Sequence, residues 1–273
     1  MRRCVLALAL LAGCSHPPKG PPDDATLSRL GHSGDIAFNL EQPAQAAEQY
    51  RAALARARTR DDAGAIADAG FNLATAQLHA GQPQAALDTA HQLQAELARR
   101  GLNDPAFDLI RATALFRLND LPAADATAAG LTRSGDPALA NAAWFLRGLI
   151  ADTRADRPGL EKAAGSLTAA ADAADVAELR ARLSHDPALA QHAADLRRTA
   201  LDYRGMARCL ALTAQFSPDA ATGADLYLRA GRSAAAQGEA AQARLWLTNA
   251  RDQAADPALR LDANEALNHL PSH

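Results

Sequence analysis

The chain has 273 residues, 48% of them hydrophobic, 22% charged and only 4% aromatic, with a formal charge of −3 at pH 7. That balance describes a soluble globular chain rather than a disordered or membrane-spanning one, and it offers no basic footprint for nucleic acid. About a quarter of the residues are alanine while valine and isoleucine together number six, which favours helices and argues against an all-β or α/β architecture.

Met1-Arg2-Arg3 is a short positive stretch, and the apolar run from Cys4 to Ala12 follows it, the pattern of an export signal. The run is too short to cross a bilayer, which takes roughly 20 apolar residues in a helix. It ends in Leu11-Ala12-Gly13-Cys14, which resembles the lipobox of bacterial lipoproteins; an ordinary signal peptide with a chance cysteine is the other reading. The resemblance implies removal of residues 1–13 and lipidation of Cys14, hence membrane attachment through N-terminal lipid. Loss of Arg2 and Arg3 would leave a charge of −5. Ser15, rather than an aspartate, follows the cysteine, and in such families this implies the bacterial outer membrane with the protein facing the periplasm. Cys209 then has no intramolecular disulfide partner. Its place in the apolar stretch Met206 to Phe216 predicts a buried small hydrophobe.

Residues 14–25 contain four prolines and a glycine behind the cysteine, an extended spacer rather than a helix. From 26 to 270 apolar residues recur three and four apart, interrupted by Gly, Asn and Asp-Pro, which predicts helices throughout. Asp104-Pro105, Asp136-Pro137, Asp186-Pro187 and Asp256-Pro257 each set a capping carboxylate before a proline suited to the first helical turn. Similar segments return every 36 to 40 residues or so, a period that calls for stacked helix pairs. In the first unit Gly34, Ala46 and Ala53 follow at intervals of twelve and seven; Gly231, Ala243 and Ala250 repeat this near the end. These two segments resemble tetratricopeptide repeats, where small residues sit at the crossing of two antiparallel helices. Ala74 and Ala86 with Leu93, and Ala112 and Ala124 with Leu131, keep part of the spacing. Gly148 is followed by the larger Leu160 and Leu167. Gly81, Asn119 and Gly238 fall where a left-handed turn suits Gly or Asn, whereas Glu41 and Ala155 suit the corresponding places less well. Residues 156–219 read as helices without a clear repeat. The resemblance implies an all-α, right-handed superhelical solenoid of about five antiparallel pairs plus a C-terminal capping helix, spanning 26–270.

No HExxH, phosphate-binding glycine loop, paired cysteines or GxSxG elbow occurs, so no catalytic or metal site, no cofactor and no small-molecule substrate is indicated. Arg99-Arg100 and Arg197-Arg198 read as exposed helical positions. What remains is surface. In a solenoid of this kind the first helix of each pair lines a concave face. In that register Phe38, Asn39, Phe71, Thr75, His79, Leu109, Thr113, Phe116, Arg117 and Phe145 form a candidate peptide-binding groove; a one-residue register error would instead make these rings inter-helix core. The repeat family's carboxylate-gripping members use Lys and Asn in the groove, but Asp35, Thr75 and Thr113 stand at comparable places here, which disfavours that clamp. The functional expectation is a non-enzymatic, lipid-anchored periplasmic scaffold binding a protein or peptide of the cell envelope, in an assembly, export or pilus-type machine. A regulator of a wall-synthesising enzyme and a wall hydrolase hidden in 156–219 are the alternatives.

Overall fold

The computed structural model describes residues 23–169 and 171–271; the signal segment 1–13, Cys14 and the tether as far as residue 22 lie outside the described residues. Among the described residues there are fourteen helices and no strand. In chain order they are α1 (Ala25–Asn39), α2 (Pro43–Thr59), α3 (Ala63–His79), α4 (Pro83–Ala98), α5 (Ala106–Arg117), α6 (Leu121–Leu131) and α7 (Pro137–Thr153). Then come α8 (Arg157–Ser166), α9 (Ala173–Ser184), α10 (Pro187–Thr199), α11 (Tyr203–Phe216), α12 (Ala220–Ala236), α13 (Ala240–Gln253) and α14 (Pro257–Asn268). The fold is an all-α array in which each helix packs on the next along the chain.

Six hairpins carry the repeat: α1–α2, α3–α4, α5–α6, α7–α8, α10–α11 and α12–α13. Each turns through one left-handed residue: Glu41 at φ 58°, Gly81 at 71°, Asn119 at 62°, Ala155 at 55°, Leu201 at 59° and Gly238 at 74°. The physical reason is shared. A left-handed residue lets its own amide and the next one reach back to the last helical carbonyls, as Glu41 N to Phe38 O (3.0 Å) and Gln42 N to Ala37 O (2.9 Å) do, and the orphan acceptors of the helix end are satisfied. Glu41 and Ala155 therefore make the same turn as the glycines. Six hairpins replace the five or so expected, with α9 interposed between the fourth and fifth and α14 covering the end.

The aspartates start the helices as their chemistry predicts. Asp136, Asp186 and Asp256 accept from Ala138, Ala188 and Ala258 at 2.8–2.9 Å. Asp104 accepts from Ala106 in the same way (2.9 Å), although the helix is entered one residue later, after Pro105.

The small residues meet their partners across the hairpins. Ala46, Ala53, Ala243 and Ala250 are fully buried or nearly so. At Gly34 an added methyl group would stand 2.5 Å from the Tyr50 ring, and at Gly231 it would stand 2.6 Å from Leu247. Glycine at these crossings lets a large side chain of the second helix occupy the space, so axes stay close and no cavity remains. Tyr50 is fixed further by its hydroxyl, which donates to Asp35 (2.7 Å).

The middle of the chain is held differently. Glu178 of α9 is fully buried, and its two oxygens accept from Arg182 (2.9 Å), Arg197 (3.3 Å) and Arg208 (2.6 and 2.7 Å), with the Cys209 thiol at 3.4 Å. Arg197 also pairs with Asp175 and Asp202, so it is an interior residue and not the exposed position the sequence suggested. Cys209 is buried. Long arginine side chains can bring charge from three helices to one carboxylate, and here that charge cluster takes the place of alanine–leucine packing.

Candidate functional site

The array curls until its second hairpin meets the fifth and sixth. Arg204, in the first turn of α11, donates to the carbonyls of Leu78 (2.9 Å) and His79 (2.7 Å) at the C-terminus of α3, and its Nε lies 2.9 Å from Glu239 at the start of α13. Arg117, at the end of α5, donates to the same Leu78 carbonyl. Two guanidinium groups thus cap the negative end of one helix dipole. The Gly81 turn faces the Gly238 turn closely enough that a methyl at Gly81 would lie 3.6 Å from the Gly238 carbonyl. The inner face is consequently divided into clefts by this clasp, and is not the single open trough the sequence reading envisaged.

Among the described residues, clefts open along this clasp and beside it. The first, about 540 Å³, is bounded by Phe38, Pro43, His79, Leu201, Tyr203 and Arg204. The second, about 580 Å³, has Phe116, Arg117, Arg204, Arg208, Glu239 and Trp246 among its walls. In the third, about 280 Å³, Leu109, Thr113, Phe116, Arg117, Phe145 and Arg208 stand together with Asp175 and Arg197. Phe38, His79, Leu109, Thr113, Phe116, Arg117 and Phe145 of the sequence-derived set are therefore on cleft walls. Asn39 is exposed at the end of α1, Thr75 is half-buried in α3, and neither lines any of these clefts. Phe71 is placed with the N-terminal core, its ring edge-on to Phe107 at 6.1 Å. Its helix is rotated so that Phe71 meets α5 and His79, two turns on, meets the lumen.

Sequence reasoning missed Arg204, Arg208, Tyr203 and Trp246. The first three lie on α11, in the stretch that showed no repeat, so no register existed from which to place them.

The electrostatics follow from burial. Arg117 is pulled down to about 10 by burial, with the like charge of Arg204 adding to it. His79 is pulled down to about 4, again by burial first and then by Arg204 and Arg117, and its ring packs edge-on to Phe38 at 4.8 Å. Burial lifts Asp175 to about 6 against the pull of Arg197. Burial also opposes the charge on Glu178, but Arg208, Arg182 and Arg197 outweigh it and hold the carboxyl well below the ordinary range. Cys209 is pushed up to about 12 by burial and the adjacent Glu178, so it is no nucleophile at neutral pH. Phe145 lies beside both Arg197 and Arg208, whose guanidinium carbons are 5.3 and 5.6 Å from its ring centre. Among the described residues no group of three or more His, Cys, Asp or Glu could hold a metal ion. No described helix is long and apolar enough to cross a membrane. What the inner face can do chemically is bury rings and donate hydrogen bonds from fixed guanidinium groups.

No family model matches the chain, and no curated protein matches it. Solved structures do. A tetratricopeptide repeat protein from Parabacteroides merdae ATCC 43184 is 17% identical, with 90% of this chain and 98% of that chain covered at a TM-score of 0.47. The TPR2AB domain of yeast Sti1, solved in complex with pHSP90, is 18% identical, with 88% and 95% covered at a TM-score of 0.34.

Proposed function

We propose that this chain is a binding scaffold, anchored by lipid at Cys14 to the periplasmic face of the bacterial outer membrane, whose inner clefts hold a segment of another envelope protein. The observation that carries the binding role is the inner wall itself. Phe38, Phe116 and Phe145 line clefts totalling several side chains in size, beside arginines that are pinned by other contacts. Rings that are held in place and water-accessible are what a partner side chain can cover at little entropic cost. Recognition is the role this wall supports best, because what it offers a guest is rings and guanidinium donors.

The anchoring part rests on Arg2, Arg3, the short apolar run and the box ending in Cys14. A machine of the assembly, export or pilus type is the setting that suits a tethered binder, because confinement to one surface raises the local concentration of its partner. Crosslinking in intact envelopes followed by purification, with the wild type beside Phe145→Glu, tests the binding role. Loss of specific partners is expected for the variant, and an unchanged partner set refutes the inner wall as the binding face. Cys14→Ser is expected to abolish lipid labelling and release the chain from membranes. Retention of that variant in the membrane fraction refutes the lipid anchor.

A further inference from the structure

We propose that the wall shared by the second and third clefts is a seat for a carboxylate side chain, so that the bound segment is acidic, with an aspartate or glutamate set between Arg117 and Arg208 and an adjoining apolar side chain on Phe116. The proposal rests on the binding role above and names what is bound. Phe116, Arg117 and Arg208 each line both clefts, so one occupant can span them. The two guanidinium groups reach this wall from helices far apart in the chain, α5 and α11.

The donor inventory selects the ligand. A guanidinium has five N–H donors and no acceptor. Arg208 uses Nε and Nη2 on Glu178 and leaves Nη1 with no protein partner. Arg117 uses Nη1 on the Leu78 carbonyl and leaves Nε and Nη2 with none. Arg117 also has no carboxylate within 4.0 Å, whereas Arg204 and Arg208 each have one and Arg197 has three. Each of the two clefts is lined by three arginines against a single carboxylate: Glu239 in the second and Asp175 in the third. An anion is the species that satisfies donors lacking acceptors and separates two like charges.

Position argues for a side chain over a chain terminus. The seat lies between two clefts that both continue past it, so a segment can run through with its acidic residue in the middle. The ring of Phe145, with Arg197 and Arg208 beside it, extends the wall on one side, and Trp246 extends it on the other.

The test uses the full chain purified in detergent and fluorescein-labelled peptides that alternate glutamate with phenylalanine and leucine, read by fluorescence anisotropy. Expected results are binding to the acidic peptide, at least tenfold weaker binding to its glutamine counterpart, and affinity that falls as salt rises. Free and amidated C-termini should bind alike. Arg117→Gln should weaken the acidic peptide about tenfold and erase its advantage over the glutamine peptide. Equal binding of the two peptides to the wild type overturns the acidic seat while leaving peptide binding intact, and does not depend on any variant folding. Binding that requires a free C-terminus, or no binding of either peptide, also overturns it. The crosslinking with Phe145→Glu reads the broader role separately.

Discussion

Replacing Glu178 by glutamine should cost about 3–5 kcal/mol of folding stability, the range for breaking a buried ion cluster by removing one partner. The side chain is completely buried and receives four hydrogen bonds from Arg182, Arg197 and Arg208. Glutamine keeps the volume but replaces one acceptor oxygen with a donor facing donors, and three cations lose their common counter-charge. Arg182 retains Asp152, and Arg197 retains Asp175 and Asp202, so those two are partly compensated. Arg208 has no second carboxylate and bears most of the loss. Against a typical domain stability of 5–15 kcal/mol this is a large fraction. In a repeat array, where neighbours supply much of the stability, the damage should concentrate in α9 to α11. Hydrogen exchange should show protection lost in residues 173–216 and retained in α1 to α4, with a lowered urea midpoint. A loss below about 1 kcal/mol, or a uniform loss along the chain, refutes the account. Acid should act in the same direction: Glu178 is held below its unfolded-state value, so its contribution is present above that value, near pH 4.3, and is lost as pH falls below it.

Arg204→Ala should release the clasp on α3, because it removes the bonds that α11 makes to the Leu78 and His79 carbonyls and the pairing with Glu239, leaving only the Arg117 bond from neighbouring α5. Small-angle scattering should register a larger radius of gyration, and an unchanged profile refutes the clasp. Gly231→Ala should destabilise the C-terminal hairpin by roughly 1–3 kcal/mol, since its methyl would meet Leu247 at 2.6 Å. Adding Leu247→Ala, which removes the atoms the new methyl meets, should cost less than additivity predicts, and strict additivity in the thermodynamic cycle contradicts the coupling. His79 should titrate near 4 in the folded chain by NMR. Its folded value lies below the unfolded 6.5, so its share of stability is present above pH 6.5 and declines as pH falls toward 4. Titration near 6.5 would show His79 exposed and the clasp open.

The hairpins are legible in the sequence where local chemistry dictates them and illegible where distant charge does. In all six, a small buried residue lies seven positions before the left-handed turn: Gly34, Ala74, Ala112, Gly148, Ala194 and Gly231. In five of them, twelve positions after that small residue stands Ala46, Ala86, Ala124, Leu160 or Ala243, all buried. The fifth hairpin keeps the frame, with Ala194 buried and Leu201 left-handed, but it puts Met206 and Thr213 where alanines and leucines are expected. Leucine at φ 59° carries a cost of roughly 1–2 kcal/mol that glycine avoids, so composition alone points away from a turn there. Glu178, read without its neighbours, is an ordinary polar residue in a helix; burial becomes affordable only once Arg182, Arg197 and Arg208 converge. Stretch 156–219 thus lacks the repeat's signature because charge pairing between α9, α10 and α11 has taken over the role of alanine packing.

The same substitution of long-range charge for local packing explains why the inner face differs from the expected trough. Phe38, His79, Phe116 and Phe145 reach cleft walls because helical periodicity alone points them there. The division into clefts depends on Arg204 meeting carbonyls 125 and 126 residues away. No local pattern encodes that distance. Curvature does: each hairpin adds its increment of turn, and after enough hairpins the second and sixth turns, at Gly81 and Gly238, come together. Glycine at both points lets the backbones approach, and Arg204 then reaches the α3 terminus, where the His79 carbonyl accepts from it and the Leu78 carbonyl accepts from it alongside the Gly81 amide. A ligand entering between the first and second clefts must pass this arginine or displace it. The donors that close the molecule therefore stand beside those that would receive a guest, and clasp strength and affinity become linked quantities.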